Sequence, residues 1–375
     1  MSIAIQSAQS ELGIIETSAT CELHVLGAGG MMAGELLRLA SAHPRLRIRH
    51  AITRTGGEPL SSLHPHLTAH ANQKCVSLEA FTEALADELD TGGETWLVLA
   101  LPHAKAAGAW RELRAELGPK AERLGVLDLS ADYRLADLGA YAKWYGQPHV
   151  DPEHAASFVY GLPELGSIDW STTRHIAAPG CFATALQLAC VPAAEAGLLK
   201  PDEPWIVHAV TGSSGSGAKP KALTHHPHRH ADYRAYASDG HRHEAELNQA
   251  LAPLGIEPNL CFLPHSGPWA RGIHLSAVLP TNKTITLETA VALFQARYAE
   301  SPFVHVRETG VPDLRSVVGS NVACLGVRVR KNALVVELTL DNLIKGGSGQ
   351  ALQALNLALG YTETEGLPTT GMGTL

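Results

Sequence analysis

The chain lacks the features that would commit it to a nucleic acid, a membrane or an oxidising compartment. Its 375 residues hold 29 Lys and Arg against 37 Asp and Glu, and a net charge of -8 offers no basic footprint for nucleic acid. No apolar run nears the ~18 residues of a membrane-spanning helix. Met1 to Thr20 contains no Lys or Arg, so it has neither the basic start of a secretory signal nor the arginines of a mitochondrial presequence. Residues 1–22 are therefore expected to form a loose extension. The 6 cysteines have no paired spacing and frame no disulfide scaffold, which points to reduced thiols in a cytoplasmic protein. What remains is globular, 45% hydrophobic, and longer than a single core of roughly 250–300 residues, so two domains are expected. Its one compositional oddity is 20 histidines.

Leu23-His24-Val25-Leu26 is a short apolar strand, followed by Gly27-Ala28-Gly29-Gly30-Met31-Met32-Ala33-Gly34 and then by helical periodicity in Glu35-Leu36-Leu37-Arg38-Leu39. Strand, glycine-rich turn and helix is the order of a dinucleotide site. The glycines let backbone approach a pyrophosphate, and the helix start supplies N–H donors and a partial positive charge. Gly27, Gly30 and Ala33 hold the three key spacings. A second strand ends in Thr53-Arg54-Thr55, where an acid would accept from a ribose hydroxyl and an arginine pairs with a 2′-phosphate. Arg54 therefore favours NADP over NAD. Thr95-Trp96-Leu97-Val98-Leu99-Ala100-Leu101 is a continuous apolar run stopped by Pro102-His103, as expected of a strand buried on both faces. Gly125-Val126-Leu127-Asp128-Leu129-Ser130 repeats the pattern, and alternation with helical stretches makes this half α/β with a parallel sheet.

Pro179-Gly180 precedes a helical pattern that begins at about Cys181. A thiolate at a helix start is stabilised by the dipole and by free N–H groups, which would lower its pKa below the ordinary ~8.5. A lone cysteine more often simply packs, and Cys190, deeper in the same helix, reads as core. The loop Thr211-Gly212-Ser213-Ser214-Gly215-Ser216-Gly217-Ala218-Lys219 is either a phosphate contact or a surface loop; it lacks the spacing of a Walker A motif. His225, His226, His228 and His230 cluster without cysteines or ligand spacing, so no metal is expected there. His241-Arg242-His243 with Glu244 and Glu246 pairs imidazole with carboxylate, the composition of an acid/base.

Taken together and in order, these segments resemble the N-acyl-gamma-glutamyl-phosphate reductases, relatives of aspartate-semialdehyde dehydrogenase. The resemblance runs from about Leu23 to the C-terminus. It includes His64-Pro65-His66-Leu67, Asp128-Leu129-Ser130-Ala131-Asp132-Tyr133-Arg134-Leu135, Lys143-Trp144-Tyr145-Gly146 and Val159-Tyr160-Gly161-Leu162-Pro163-Glu164. Pro179-Gly180-Cys181, His241-Arg242-His243, Arg271-Gly272-Ile273 and Asn342-Leu343-Ile344-Lys345-Gly346 complete it. Two departures stand out. Met31 and Ala33 replace the aromatic and the last glycine of the family's turn, and Ala178, Phe182 and Ala183 replace the residues of its Asn-Pro-Gly-Cys-Tyr-Pro segment.

The resemblance implies a Rossmann-type domain over residues 23–178, completed by a C-terminal helix within 342–375, and an α+β catalytic and oligomerisation domain over 179–341. It makes Cys181 the nucleophile and His241 the acid/base, oriented by Glu246, with His243 as the competing imidazole and a substrate contact. Gly27, Gly29, Gly30, Met31, Ala33, Thr53, Arg54, Pro102, Ser213, Gly215 and Asn342 would hold NADP, with residues 345–349 near the nicotinamide. Arg134, Lys219 and Arg271 would meet the anionic substrate. The implied reaction is NADPH-dependent reduction of N-acetyl-gamma-glutamyl phosphate to the semialdehyde in arginine biosynthesis, by a homodimer or homotetramer. The acyl group, acetyl or succinyl, stays open. So does an N-acyl-aminoadipyl phosphate of lysine biosynthesis or an aspartyl phosphate. A non-catalytic NADP-binding regulator is the reading from a different class.

Overall fold

The computed structural model describes residues 20–374 apart from Ser167. Most of the expected N-terminal extension lies outside these residues, and its expected end at 22 is slightly late, because the first strand already begins at Cys21.

Strands β1 (Cys21–Leu26), β2 (Leu46–Thr53), β3 (Val76–Ser77), β4 (Thr95–Leu99), β5 (Leu124–Asp128), β6 (Val159–Tyr160) and β7 (His175–Ala177) form one sheet in the order β3-β2-β1-β4-β5-β7-β6. Every pairing in it is parallel. β4 and β5 are buried along their whole length, which accounts for their unbroken apolar runs. Helices α1 (Met31–Ala42), α2 (Leu78–Glu88), α3 (Ala106–Leu117) and α4 (Leu138–Tyr145) belong to this half. α1 covers one face through Leu36, Leu37 and Ala40 against Leu23 and Val25, while α2 and α3 cover the other with Phe81, Leu85 and Trp110.

The second sheet contains β8 (Trp205–Thr211), β9 (Arg234–Ala235), β10 (Leu260–Ser266), β11 (Ile273–Pro280), β12 (Val304–Arg307), β13 (Ala323–Arg330) and β14 (Ala333–Leu340). Its order is β12-β13-β14-β11-β8-β10-β9, with parallel and antiparallel pairs mixed. Sequence patterning expects a strand over 318–329. Val317 and Val318 are instead buried in a turn and the strand starts at Ala323, since burial alone does not separate a loop under a core from a strand.

Helix α5 (Cys181–Glu195) packs on the second sheet, and residues 182–194 are all buried. A helix apolar all round must be interior, and this one fixes Cys181 at its half-buried start. α6 (Glu244–Leu251) and α7 (Leu287–Arg297) flank it. After β14 the chain makes a π-helical turn, Ile344–Ser348, before α8 (Gly349–Ala358), so the helix expected from Asn342 onward begins later. Ile344, Ala351, Leu352 and Leu355 then join the core of the first sheet, bringing the end of the second sheet against α1. No helix among the described residues is long and apolar enough to cross a membrane.

Candidate active site

The chain leaves β7, and Gly180 in extended conformation (φ -72, ψ 149) starts α5 without a side-chain cap. The first N–H groups of the helix are thus open to a ligand beside the Cys181 sulfur. The expected lowering of the thiol pKa is not what results. Burial pushes Cys181 above the ordinary thiol value, and the Arg134 charge, the Phe182 N–H and the Arg242 charge oppose this without outweighing it. The helix start is a local feature, whereas loss of water around sulfur is a tertiary one. A thiol held this way needs a base. Alkylation of Cys181 by iodoacetamide, followed at the peptide level, should therefore climb about tenfold per pH unit from pH ~7 to ~9, because only the thiolate reacts. A plateau reached below neutrality would mean a standing thiolate–imidazolium pair instead.

Two imidazoles flank the sulfur's helix. A side chain at Gly180 would collide with Nε2 of His243, so that buried ring lies directly against the residue before the cysteine. Its Nδ1 has no hydrogen-bond partner among the described residues. Burial, then the neighbouring His241, holds His243 well below the ordinary histidine value. His241 is less buried. Its ring meets the edge of Phe182 (centroids 5.6 Å) and its Nδ1 accepts from the His243 N–H (3.2 Å). Burial, with Arg242, brings His241 down to about 4. Both rings are neutral bases at physiological pH, and His243 is the one seated on the nucleophile's loop.

Glu246 was expected to orient His241, and the structure corrects this. One carboxylate oxygen accepts from the Gly180 N–H (2.9 Å) and from the Tyr160 hydroxyl (2.7 Å). The other lies 3.6 Å from the Arg134 guanidinium. The Tyr160 oxygen in turn accepts from Gln187 of α5 (2.6 Å). Hydrogen bonds to a charged group are worth roughly 1.5–3 kcal/mol each, so Glu246 fixes the Pro-Gly-Cys turn rather than an imidazole. Arg134, a proposed substrate contact, donates to the carbonyls of Ala178 (2.7 Å) and Leu129 (3.3 Å) and is buried. It acts on the site as a fixed positive charge beside the sulfur. The Asp-Leu-Ser-Ala-Asp segment is also structural: Asp132 accepts from the Ala104 (2.7 Å) and Ala107 (2.9 Å) N–H groups at the start of α3.

The dinucleotide turn meets this site through two glycines. A side chain at Gly346 would stand 2.7 Å from the Cys181 Cβ, and one at Gly347 would run into Met32 of α1. Ser348 also donates to the Met32 carbonyl (2.8 Å). The turn itself fits a pyrophosphate. Gly27 has φ +90 and a Cβ there would lie 2.6 Å from the Ala100 carbonyl oxygen, so only glycine serves. Gly30 caps α1 without a side chain, leaving N–H groups beside Gly29, Met31 and Ala33 for an anion. Thr53 accepts from Gly56 (3.0 Å), and Pro102 is exposed at the carboxyl edge of the sheet. Arg54 is exposed and pairs with no carboxylate among the described residues. Arg54→Ala should reduce the preference for NADPH over NADH by roughly 10–100-fold in kcat/KM, the weight of one charged hydrogen bond. An unchanged ratio would remove Arg54 from the cofactor site.

Other expected contacts fall differently. Arg271 donates to Asp341 through Nε and a terminal nitrogen (3.1 Å each) and to Glu35 of α1 (3.1 Å). With its three nitrogens engaged by two carboxylates it ties α1 to the end of β14 and is a poor substrate ligand. Asn342 donates to Ser214 (2.9 Å) and accepts from Gly272 (2.7 Å), holding the 212–217 loop with its Ser213 and Gly215 against residues 269–272. Lys219 is exposed beyond that loop and makes no hydrogen bond or ion pair with any described residue. Lys345 is buried and paired with Glu164 and Gln353.

Several site residues carry no signal of their own in the sequence. Arg242 stands between the two histidines and influences Cys181, His241 and His103. The His103 imidazole, pushed down to about 3 by burial and then by Arg242 and Arg134, faces the same charges with its Nδ1 unpartnered. Tyr160 enters the sequence reading only as a member of the Val159–Glu164 segment, and Gln187 does not enter it.

Residues 22–171 match the semialdehyde dehydrogenase NAD binding domain, and residues 181–342 the semialdehyde dehydrogenase dimerisation domain. The N-acetyl-gamma-glutamyl-phosphate reductase 1 of Pseudomonas putida is 38% identical over 93% of this chain and 98% of its own. A putative [LysW]-L-2-aminoadipate 6-phosphate reductase of Thermomicrobium roseum is 36% identical over 93% of this chain and 97% of its own. Among solved structures, aspartate-semialdehyde dehydrogenase II of Vibrio cholerae superposes with a TM-score of 0.62 at 13% identity, covering 92% of this chain and 99% of its own. The Candida albicans enzyme solved with NADP gives 0.62 at 14%, with the same coverage. At such identities the structures speak for the fold, and the closer relatives for the lineage: the chain belongs to the semialdehyde dehydrogenase family.

Proposed function

We propose that this protein reduces N-acetyl-gamma-glutamyl phosphate to the semialdehyde and inorganic phosphate with NADPH, through a thioester on Cys181, as a cytoplasmic step of arginine biosynthesis. One observation carries the reading. Cys181, at an open helix start, touches Gly346, whose neighbour Gly347 touches the dinucleotide turn at Met32. A nucleophile joined to the dinucleotide turn through two adjacent glycines suits an acid derivative that must be captured before it is reduced.

In this scheme His243 takes the thiol proton as sulfur attacks the gamma-carbonyl carbon. The new C–S bond forms, the C–O bond to phosphate breaks, and phosphate leaves with the bonding pair. The open N–H groups at the start of α5 face the developing oxyanion, where one such donor is typically worth ~2.7–4 kcal/mol. The 27–33 turn and Arg54 would hold NADPH, whose hydride would be the reductant that takes the thioester to the aldehyde and frees the Cys181 thiolate. Return of the proton to sulfur from His243 completes the cycle. Glu246 and Tyr160 keep Gly180 in place throughout, and Arg134 and Arg242 supply the positive field for an anionic substrate.

The second sheet leaves one face uncovered, with Ile206 of β8 (45% exposed) and Val278 of β11 (39%) on it. We take this face as the homodimer contact of the dimerisation domain. The substrate could also be an N-acyl-aminoadipyl phosphate, a reading favoured by the 36% identical aminoadipate relative. The reverse assay decides: semialdehydes of both chain lengths, with different N-acyl groups, are mixed with NADP and phosphate and followed by absorbance. Steady NADPH formation that needs phosphate and ranks the N-acetylglutamate semialdehyde first is expected. A higher kcat/KM for the aminoadipate semialdehyde would move the substrate, and turnover indifferent to phosphate would defeat the reaction class.

A further inference from the structure

A second cluster of chemically competent side chains lies in the first sheet, on the face that α2 covers and α1 does not. β1 and β2 run parallel with Leu23 opposite Ile48, but the next pair is His24 opposite His50. Arg49 is the extra residue of a bulge. Such bulges re-aim side chains, and without this one His24 would stand beside Arg49. With it the two imidazoles stack, centroids 5.2 Å apart at 20°. Glu88, the last residue of α2, reaches both: one oxygen lies 2.9 Å from His50 Nε2 and the other 3.8 Å from His24 Nε2.

His24 is fully buried, and among the described residues neither of its nitrogens has a hydrogen-bond partner; nor has the second oxygen of Glu88. A buried polar atom without a partner loses its hydration uncompensated, so three together call for a ligand that uses them. Two imidazoles and a carboxylate make the donor set of a borderline divalent metal such as zinc. Their ligand atoms already lie within 4.8 Å of one another. Bonds of ~2.0–2.2 Å at tetrahedral angles need ~3.4 Å, so side-chain rotations of about an ångström close the set. His50 and Glu88 are each 20% exposed, which leaves the open side of the cluster toward water for a fourth ligand. Arg49, 3.4 Å from Glu88 and 42% exposed, is free to swing into solvent.

We propose that His24, His50 and Glu88 form a zinc-type structural metal site that pins β1, β2 and α2 together. It lies apart from Cys181, so its loss is read without reference to catalysis. The test uses tag-free, chelator-treated full-length protein, titrated with Co²⁺ for the visible bands of a tetrahedral site and with Zn²⁺ by calorimetry and thermal unfolding. The exposed histidines from 225 to 230 bind metal adventitiously, so His226→Gln/His228→Gln serves as the second background. One equivalent per chain is expected to bind in both backgrounds, raise the unfolding midpoint, and weaken about 100-fold or more in His50→Gln and in Glu88→Gln. His24 is left unmutated because its replacement in the core could prevent folding. No stoichiometric binding, or binding that survives His50→Gln and disappears in His226→Gln/His228→Gln, would overturn the site.

Discussion

Cys181→Ala is expected to lower turnover by roughly 10⁴–10⁶-fold, the range seen when a covalent nucleophile is removed, while NADPH still binds. The two halves of that result come from different parts of the molecule. The cofactor turn is shaped by Gly27 against Ala100 and by the uncapped start of α1, neither of which involves the sulfur. The cysteine side chain meets the turn by way of residues 346 and 347, and shortening it removes a sulfur without adding bulk. Fluorescence titration of NADPH against the variant checks retention of binding, and single-turnover kinetics checks the loss of chemistry. A variant that turns over normally would end the covalent scheme, and one that loses cofactor binding as well would mean a collapsed site.

His243→Gln should cost about 10²–10⁴ in kcat/KM, the usual contribution of a positioned acid/base, and His241→Gln markedly less. The reasoning is geometric. His243 is packed on Gly180 with Nδ1 unpartnered, whereas the Nδ1 of His241 is already occupied by the His243 backbone. Burial adds a signature in pH. An imidazole whose pKa is depressed remains a base as pH falls, so the acid limb of kcat/KM should begin well below 6.5. The reverse ranking of the two variants would return the role to His241 and leave the thioester mechanism standing.

The parts of this enzyme legible in the sequence are those made by neighbours in the chain. The strand, glycine turn and helix of residues 23–40 declare themselves by spacing, and Pro179-Gly180 marks the helix that presents Cys181. The partners of charged side chains do not. Glu246 reaches Tyr160 and Gly180 across separations of 86 and 66 residues, and Arg271 finds Glu35 across 236. No local pattern encodes such pairings, so a carboxylate five positions after His241 looked like its partner and an arginine beside a glycine looked like a substrate ligand. The thiol shift runs opposite to the local expectation for the same reason, since burial around the sulfur is made by distant segments. His24, His50 and Glu88 likewise share no motif spacing, because a bulge between two strands brings them together.

The central claim is that carbon–sulfur bond formation precedes involvement of phosphate in the reverse direction. It is tested by mixing enzyme, NADP and N-acetylglutamate semialdehyde without phosphate in a stopped-flow instrument. The account predicts a burst of one NADPH per active site, an acyl group on the Cys181 peptide, and steady turnover only when phosphate is added. NADPH formation that does not begin until phosphate is present, with Cys181 unmodified, would contradict it.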